Sequence, residues 1–481
     1  MKETAAYEVV IGLEIHAQLA TKTKLFCGDS TLFGGEPNTQ VSAISLAHPG
    51  TLPRTNREAV ALAVQLGLAC NCTIERNNYF ARKNYLYPDL PKGYQISQHT
   101  SPICKGGHIT ITTSQGTREV QLNRIHLEED AGKSLHDQHP NRSFIDLNRA
   151  GTPLVEIVTE PNLYSAEEAA QFLTEIRKLV RWLGVSDGNM EEGSLRCDAN
   201  ISLRPAGTTT LGTKVEVKNL NSIRHLRKAI EYEIKRMTDL LQEGKKIQQQ
   251  TRSFDAETET TFALRNKEEA NDYRYFPDPD LAPFIISEEY LEKIRFNMPE
   301  LPQTLLERFL QWEGLTEYDA RQLSEDLFTA QFFEATAQKN SSPKATANWI
   351  LGPLKQWMNE HPSTDNAFPV SPDELTEIVQ LVESGQLNFS VAAGKLLPEV
   401  IHTHRSPSVL AREMNLLQTN TASELSGWIN QVLERMPDKV QEYRKGKKGL
   451  IGLFVGEVKR LSAGKANPQE VTRLLEEHLN Q

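Results

Sequence analysis

Four glutamates and one histidine occupy predicted β-strands, and side chains of these types could together hold a metal ion. Glu14 and His16 stand two residues apart on one predicted strand, so both point to the same face. Glu128 and Glu129 close a second strand, and Glu156 lies in an apolar, strand-like run. Converging carboxylates repel one another, and oxygen-rich ligation favours Mg²⁺, which usually serves phosphate chemistry. The alternative interpretation places each side chain on the solvated face of its own strand.

The familiar motifs for binding phosphate or activating a nucleophile are missing. Gly132, Lys133 and Ser134 resemble the end of a P-loop, but Leu127 stands where the motif needs its first glycine. The patterns H-E-x-x-H, G-x-S-x-G and G-x-G-x-x-G do not occur. If this protein uses ATP, it does not hold the nucleotide in a P-loop.

The elements that would position these residues are strands and helices in irregular order. Apolar–polar alternation predicts strands with one polar face, which is typical of a mainly antiparallel sheet. Apolar stripes at helical spacing predict amphipathic helices. The strands are predicted at 7–19, 108–113, 118–127, 153–159 and 194–204, and the helices at 165–183 and 222–241. This order indicates an α+β domain rather than a doubly wound sheet.

Beyond about residue 290 the pattern becomes helical to the end of the chain. Asn467 as N-cap and Pro468 at the first helical position predict the start of the last helix. Pro407 interrupts the helical pattern near 404–408. We therefore predict an α+β domain over 1–290, a helical linker domain over 291–405 and a helical tail domain over 406–481.

Length and composition limit the function classes. The 481 residues suit two to four domains, and no run of about 18 apolar residues predicts a membrane span. No secretory signal is apparent, and five scattered cysteines indicate free thiols in a reducing cytoplasm. The net charge of −10 means that any contact with nucleic acid must come from a local basic patch.

Nine ordered runs of the sequence match one protein family. They are IGLEIH (11–16), HPGTLP (48–53), ARKNY (81–85), YPDLPKGYQISQ (87–98), HLEEDAGK (126–133), DLNRAGTPLVEI (146–157), GSLRCDANIS (193–202), EVKNLN (216–221) and YRYFPD (273–278). Over essentially its whole length the chain resembles the B subunits of the glutamine-dependent aspartyl/glutamyl-tRNA amidotransferases. The run at 146–157 looks like the family signature by itself.

The resemblance implies a catalytic cradle domain related to the glutamine synthetase and guanido kinase fold. It also implies a heterotrimer, in which the two partners are a glutaminase (the A subunit) and a small protein (the C subunit). In such a complex, ATP phosphorylates the side-chain carboxylate of misacylated Glu-tRNA(Gln) or Asp-tRNA(Asn). Ammonia that the glutaminase releases from glutamine then displaces the phosphate.

The resemblance also implies residue roles. The implied Mg²⁺ ligands are Glu14, His16, Glu129 and Glu156. Glu128 would hold a second Mg²⁺ or a metal-bound water, while Lys83, Arg149 and Lys218 would meet phosphate oxygens. Catalytic roles would fall to Glu128, Glu129, Lys83 and Arg149. A surface or structural ion pair is the alternative for each of the three cations.

The C-terminal helices resemble the tRNA-binding region of the family, whose tail is similar to small YqeY-type domains. The segment 443–449 contains Arg444, Lys445, Lys447 and Lys448 and no acidic residue. Such a cluster would hold the RNA backbone and recognise shape more than sequence. A solvated turn is the alternative.

One departure from the family concerns zinc. Many members carry a four-cysteine zinc knuckle near the N-terminus, but the corresponding positions here are Cys27, Asp29, Ser42 and Ser45. One thiolate cannot replace four in a structural zinc site, so we predict no zinc. Packing or hydrogen bonds must hold the loop instead, and Asp29 could pair with Ser42 or Ser45.

Three functions remain in competition. The first is a catalytic subunit with kinase and transamidase activities, which the complete set of carboxylates favours. The second is a tRNA-docking scaffold with a decayed cradle. The third is a free-standing ATP-dependent ligase that uses ammonia directly, because no Ser-Lys amidase site for glutamine hydrolysis is apparent.

Overall fold

The computed structural model describes residues 7–135, 139, 141–266, 273–340, 342–362, 367–418, 422–462 and 465–480. The chain forms two compact units, Met1–Leu301 and Pro302–Gln481. The sequence instead predicts three domains, over 1–290, 291–405 and 406–481, and these domain boundaries stay a prediction. Each unit is described by itself.

The first unit is built around one large sheet. Its strands, numbered with those of two small two-stranded sheets, are β1 Tyr7–Gln18, β2 Thr73–Ile74, β3 Asn77–Asn78, β4 Ala81–Asn84, β5 Tyr94–Ser97, β6 Cys104–Lys105, β7 His108–Thr113, β8 Gly116–Glu129, β9 Lys133–Leu135, β10 Phe144–Asp146, β11 Pro153–Thr159, β12 Leu195–Pro205, β13 Val215–Leu220, β14 Gln250–Asp255, β15 Thr260–Asn266, β16 Phe276–Pro277 and β17 Phe284–Ile285. The main order across the large sheet is β15-β14-β13-β12-β1-β11-β8-β5-β4-β16.

Strand pairing in the large sheet is antiparallel except between β13 and β14. The prediction of a mainly antiparallel sheet is therefore confirmed. β1 follows its alternation: Leu13, Ile15 and Ala17 are buried on one face. Glu14 and His16 lie on the other face, which carries the polar residues discussed below.

The described residues of this unit form four helices. They are α1 Arg57–Ala69, α2 Ala166–Trp182, α3 Ile223–Gln242 and α4 Glu288–Asn297. The two helices predicted from periodicity are confirmed as α2 and α3. The Ser165 hydroxyl caps α2 by accepting from the Glu168 backbone N–H, and Gly184 ends it at a φ of +65°. The spacing of Ser165 and Glu168 predicts a capping box, but the Glu168 carboxylate accepts from the Tyr164 N–H instead.

The second unit is helical throughout its described residues. Its elements are α5 Pro302–Phe309, α6 Glu317–Leu323, α7 Leu327–Ala337, α8 Pro343–Trp349, a π-helical turn Ile350–Leu354, α9 Lys355–Glu360, α10 Pro372–Glu383, α11 Phe389–Val391, a π-helical turn Ala392–Leu396, α12 Leu397–Thr403, α13 Pro407–Glu413, α14 Ala422–Arg435, α15 Pro437–Arg444, a 3₁₀ turn Lys448–Leu450, α16 Ile451–Leu461 and α17 Pro468–Leu479.

The end of the second unit has a hydrophobic core of its own. Leu425, Ile429, Phe454 and Leu475 are buried together in it. The Asn467 side chain caps α17 as predicted. None of the helices within the described ranges is both long and apolar enough to cross a membrane.

Candidate active site

Three neighbouring strands bring a row of polar side chains to one face of the sheet. In the antiparallel register, His16 of β1 lies opposite Glu156 of β11, and Glu156 lies opposite His126 of β8. Glu128 is two residues beyond His126, so it shares that face. The sheet therefore gathers two imidazoles and two carboxylates from distant parts of the sequence.

The distances within this group are short but exceed ordinary hydrogen bonds. His16 Nε2 lies 3.5 Å from Glu128 Oε1 and 3.7 Å from Glu156 Oε2. The ligand atoms of these three residues could surround one metal ion. Both glutamates are largely withdrawn from solvent, with side-chain exposures of 5% and 13%. We call His16, Glu128 and Glu156 the first carboxylate cluster.

The electrostatics of the first cluster favour a bound cation. Burial, and then the charge of Glu156, raise the pKa of Glu128 above that of an ordinary glutamate. Burial also lowers the pKa of His126 to about 3, so this ring is neutral at neutral pH. Two carboxylates that share a buried site compete for one proton, and a divalent cation would remove that competition.

A second carboxylate cluster lies beside the first on the same face of β1. It consists of Glu14, Asp198 of β12 and Glu216 of β13, whose carboxylate oxygens could also surround one cation. Glu14 pairs with Asp198 across the two strands. Asn200 donates to Glu14 Oε1 at 2.9 Å, which fixes the orientation of that carboxylate.

Lys218 balances part of the charge of the second cluster. Its ammonium lies 2.5 Å from Asp198 Oδ2 and 3.3 Å from Glu216 Oε1. Although burial acts to lower its pKa, the two carboxylates outweigh it and raise the pKa of Lys218. Lys218 thus lies at the edge of the site with its side chain 36% exposed. Its contact with phosphate stays a prediction.

Lys83 approaches the first cluster from β4. Its ammonium lies 5.0 Å from the ring centre of Tyr273 and 5.7 Å from that of Tyr85. It is close enough to lower the pKa values of Glu128 and Glu156, although burial and other groups act more strongly on both. The charge of Lys83 therefore acts on the first cluster, and its contact with phosphate oxygens stays a prediction.

Arg149 is already engaged by the protein. Its Nε donates to the Ala131 carbonyl at 2.9 Å, and its guanidinium also donates to the Gly132 carbonyl at 2.6 Å. The guanidinium lies 3.5 Å from buried Asp130, which Arg196 also contacts at 2.9 Å. These bonds tie Arg149 to the loop, and its predicted contact with phosphate stays a prediction.

Glu129 lies apart from both carboxylate clusters. Successive side chains of a strand point to opposite faces, so Glu129 leaves the face that Glu128 occupies. Its carboxylate pairs with Lys92 and accepts from the Ile96 N–H at 2.9 Å. The structure thus differs from the implied Mg²⁺ set: it brings His16 and Glu156 together with Glu128, and it puts Glu14 in the neighbouring cluster.

Comparison with known proteins identifies the family. The GatB/GatE catalytic domain matches residues 9–292, and a second family described as GatB domain matches residues 331–479. The chain is 47% identical over 469 residues to the aspartyl/glutamyl-tRNA(Asn/Gln) amidotransferase B subunit of Thermodesulfovibrio yellowstonii, covering 98% of both chains. The chain belongs to the family of amidotransferase B subunits. The proteins of the same name from Nitratidesulfovibrio vulgaris (strain DP4) and Caldanaerobacter subterraneus are 47% and 46% identical, over 98% of this chain and 99% of theirs.

Membership of the amidotransferase B-subunit family confirms the resemblance. Three side chains near the two carboxylate clusters were not among the residues predicted from the sequence. His126, Asp198 and Glu216 all lie in runs that matched the family. Each carried a usable signal, because it stands two residues from another polar group on its strand. His126 precedes Glu128 in this way, and Glu216 precedes Lys218. The missing information was which strands are neighbours.

The loop that corresponds to the zinc knuckle of the amidotransferase B-subunit family is held by hydrogen bonds. Asp29 Oδ2 accepts from the Ser42 N–H at 2.8 Å and from the Ser45 hydroxyl. Lys24 lies 3.4 Å from the Ser45 hydroxyl and donates to the Leu147 carbonyl at 3.3 Å. Burial raises the pKa of Cys27, so its sulfur is a thiol rather than a metal-binding thiolate.

We expect elemental analysis of the purified protein to find no stoichiometric zinc. One protonated thiol and an aspartate already engaged by two donors do not supply a tetrahedral site. We also expect the midpoint of thermal unfolding to be unchanged by a zinc chelator. One zinc per chain, or a midpoint lowered by the chelator, would contradict this prediction.

The predicted tRNA-binding residues of the tail are exposed. Arg444 and Lys445 end α15, and Lys447 and Lys448 follow in the next turn. Lys447 pairs with Glu442 at 2.9 Å, and the Lys448 ammonium lies 4.2 Å from the Tyr443 ring centre. Four cations within five residues of an exposed turn make a compact basic surface, which we call the basic turn.

Proposed function

We propose that the chain is the kinase and transamidase subunit of a tRNA-dependent amidotransferase. It would use ATP to activate the side-chain carboxylate of misacylated Glu-tRNA(Gln) or Asp-tRNA(Asn). The observation that supports this most strongly is the pair of carboxylate clusters side by side on one face of β1. A decayed scaffold would have no reason to keep two such clusters, because carboxylates that converge without a cation repel one another.

The residues present fit Mg²⁺ or a similar divalent cation. The first carboxylate cluster would hold one cation through His16, Glu128 and Glu156. The second would hold another through Glu14, Asp198 and Glu216. Burial and the neighbouring charge of Glu156 raise the pKa of Glu128, and a bound cation would favour its ionised form. When bound, the cations would offset the negative charge of phosphate oxygens.

The reaction we propose replaces a poor leaving group by a good one. An oxygen of the substrate carboxylate attacks the terminal phosphorus of ATP, the bond to the bridging oxygen breaks, and ADP leaves. Ammonia then attacks the carbonyl carbon of the acyl phosphate, the bond to the phosphate oxygen breaks, and inorganic phosphate leaves with the proton that the nitrogen loses as the amide forms. Both reactants are anions at the start, so the site must lower their repulsion.

Side chains of this chain would contribute charge and position. Lys83 and Lys218 flank the two clusters and would face phosphate oxygens from opposite sides of the row. Asn200 orients Glu14 by its hydrogen bond. Glu129 would act through Lys92 and the backbone of β5, as a positioning residue rather than a ligand.

The wider setting of the proposal follows the family. The sheet would be a cradle of the glutamine synthetase and guanido kinase type, with the domain boundaries predicted from the sequence. Ammonia would come from the glutaminase of a heterotrimer, whose third member is the small C subunit. We place the complex in the cytoplasm; the five cysteines, all free thiols, agree with a reducing compartment.

An isotope experiment tests the proposal. The complete complex is incubated with ATP labelled at the terminal phosphate and with either misacylated tRNA, in the absence of glutamine and ammonia. We expect label to be transferred to the aminoacyl-tRNA, and ammonia then to release it as phosphate while the amide forms. The chain without its partners should use ammonia but not glutamine. Amide formation without ATP cleavage would refute the proposal.

A further inference from the structure

His126 is a buried imidazole whose two nitrogens lack hydrogen bonds. Its residue exposure is 0%, and neither ring nitrogen has a hydrogen-bond partner among the described residues. A buried polar atom without a partner costs folding free energy, so such atoms are rare unless an ion or a water completes the site. The His126 ring also packs against the His99 ring, nearly perpendicular to it, at a centroid distance of 5.9 Å.

The free nitrogen of His126 faces the first carboxylate cluster. His126 Nε2 lies 3.4 Å from Glu156 Oε2 and 3.8 Å from Glu128 Oε2. These separations nearly repeat those of His16, at 3.5 Å and 3.7 Å from the same two carboxylates. The two imidazoles thus approach different oxygens of the Glu128 carboxylate and the same oxygen of the Glu156 carboxylate.

Separations of this size are those of ligands around a common ion. Ligand atoms bound at about 2.1–2.2 Å to one cation lie roughly 3 Å apart when adjacent and roughly 4 Å apart when opposite. Direct hydrogen bonds between imidazole and carboxylate would be shorter, at about 2.7–3.2 Å. The contacts of His126 with the two glutamates therefore fit a shared cation better than direct hydrogen bonds. Among the described residues, the ligand atoms that all lie within 4.8 Å of one another are those of His16, Glu128 and Glu156, so His126 would join them by a small shift of its ring.

We propose that His126 is a second imidazole ligand of the first cluster, which then binds Mn²⁺ more tightly than Mg²⁺. This inference rests on the proposed function, because it takes that cluster to be a cation site. Two nitrogens and two carboxylates form a mixed donor set, and imidazole favours transition metals over Mg²⁺. The second carboxylate cluster has oxygen ligands only, so it would keep the ordinary preference of an Mg²⁺ site.

The test uses Mn²⁺ as a spin probe of the full-length chain. Electron spin-echo envelope modulation detects the ¹⁴N nuclei of imidazoles bound to Mn²⁺, and the all-oxygen cluster contributes none. We expect the wild-type spectrum to show two coordinated imidazoles, and the His126→Gln spectrum to show one. We also expect the Mn²⁺ dissociation constant to rise about 10- to 100-fold in His126→Gln, with a smaller change for Mg²⁺.

The matched control is His108→Gln. His108 also lies near a glutamate, with Nε2 at 3.6 Å from Glu119, but it is on β7 outside both clusters. This variant should retain the two-imidazole spectrum and the wild-type Mn²⁺ affinity. If His126→Gln fails to fold, His126→Asn replaces it in the comparison. The wild-type spectrum by itself also gives the number of imidazoles bound to Mn²⁺.

The possible results separate the inference from the proposed function. A wild-type spectrum with one imidazole, unchanged in His126→Gln, would overturn the inference and make His126 a positioning residue that donates to Glu156. The proposed function would survive that result. Absence of Mn²⁺ binding to the wild-type chain would overturn both. Equal affinities for Mn²⁺ and Mg²⁺ in the wild type would also refute the inference.

Discussion

Glu128→Gln is expected to lower the rate of tRNA-dependent amidation by on the order of 10²–10³-fold, because the cation that offsets the charge of the reacting anions is held less tightly. Glutamine keeps the size of the side chain but removes the negative charge that holds a cation beside His16 and Glu156. The affinity for misacylated tRNA should remain close to that of the wild type. Single-turnover amidation and filter binding of tRNA measure the two quantities.

The control for Glu128→Gln is Glu119→Gln. Glu119 is on the same strand, β8, and lies near a histidine, but it is exposed and outside both clusters. Its replacement should leave amidation unchanged. Equal losses in both variants, or full activity in Glu128→Gln, would contradict the assignment of the first cluster.

Replacing Glu128 and replacing Glu129 should change the free energy of unfolding in opposite directions. Because the pKa of Glu128 is raised in the folded protein, its charge destabilises the fold above that pKa. Metal-free Glu128→Gln should therefore be more stable than the wild type in alkaline solution, with the gain vanishing below about pH 4. Glu129→Gln should instead lose about 3–5 kcal/mol, since it leaves the largely buried Lys92 ammonium without its carboxylate. Denaturant unfolding without metal measures both.

Replacing the four cations of the basic turn by alanine is expected to weaken tRNA binding by on the order of 10²-fold at low salt, because fewer counterions are released from RNA. The four are Arg444, Lys445, Lys447 and Lys448. The slope of log affinity against log salt should become shallower by about 0.7–0.9 for each phosphate that the variant no longer neutralises. Titration of labelled tRNA at several salt concentrations gives both quantities.

An equal change of charge elsewhere in the helical unit is the control for the basic turn. The exposed cations Lys339, Lys355, Lys395 and Arg412 lie outside the hydrophobic core of the tail. Their joint replacement should reduce affinity much less and leave the salt slope nearly intact. If both quadruple variants behave alike, binding reflects overall charge and the basic turn has no special role.

The sequence carried the local structure of the site. Alternation in β1 correctly put Glu14 and His16 on one face, opposite the buried Leu13 and Ile15. Apolar stripes at helical spacing correctly predicted α2 and α3. These features depend on neighbours within a few residues, so a single sequence contains the needed information.

Strand neighbours and register lay beyond the sequence pattern. Glu14 meets Asp198 because β1 pairs with β12, and His16 meets Glu156 because β1 also pairs with β11. No spacing along the chain specifies those partners. Adjacent strand residues face apart, so Glu128 and Glu129 point to opposite faces of β8, and the strand pairings decide which face holds the cluster. The bonds of Arg149 to two carbonyls depend on loop geometry, which residue types do not reveal.

The most direct test of the cation site is anomalous X-ray diffraction from crystals of the full-length chain grown with Mn²⁺ and ATP. We predict a strong anomalous peak about 2.1–2.3 Å from His16 Nε2 and from carboxylate oxygens of Glu128 and Glu156. A second peak should lie among Glu14, Asp198 and Glu216. Clear anomalous signal at other positions, with neither cluster carrying a peak, would contradict the account.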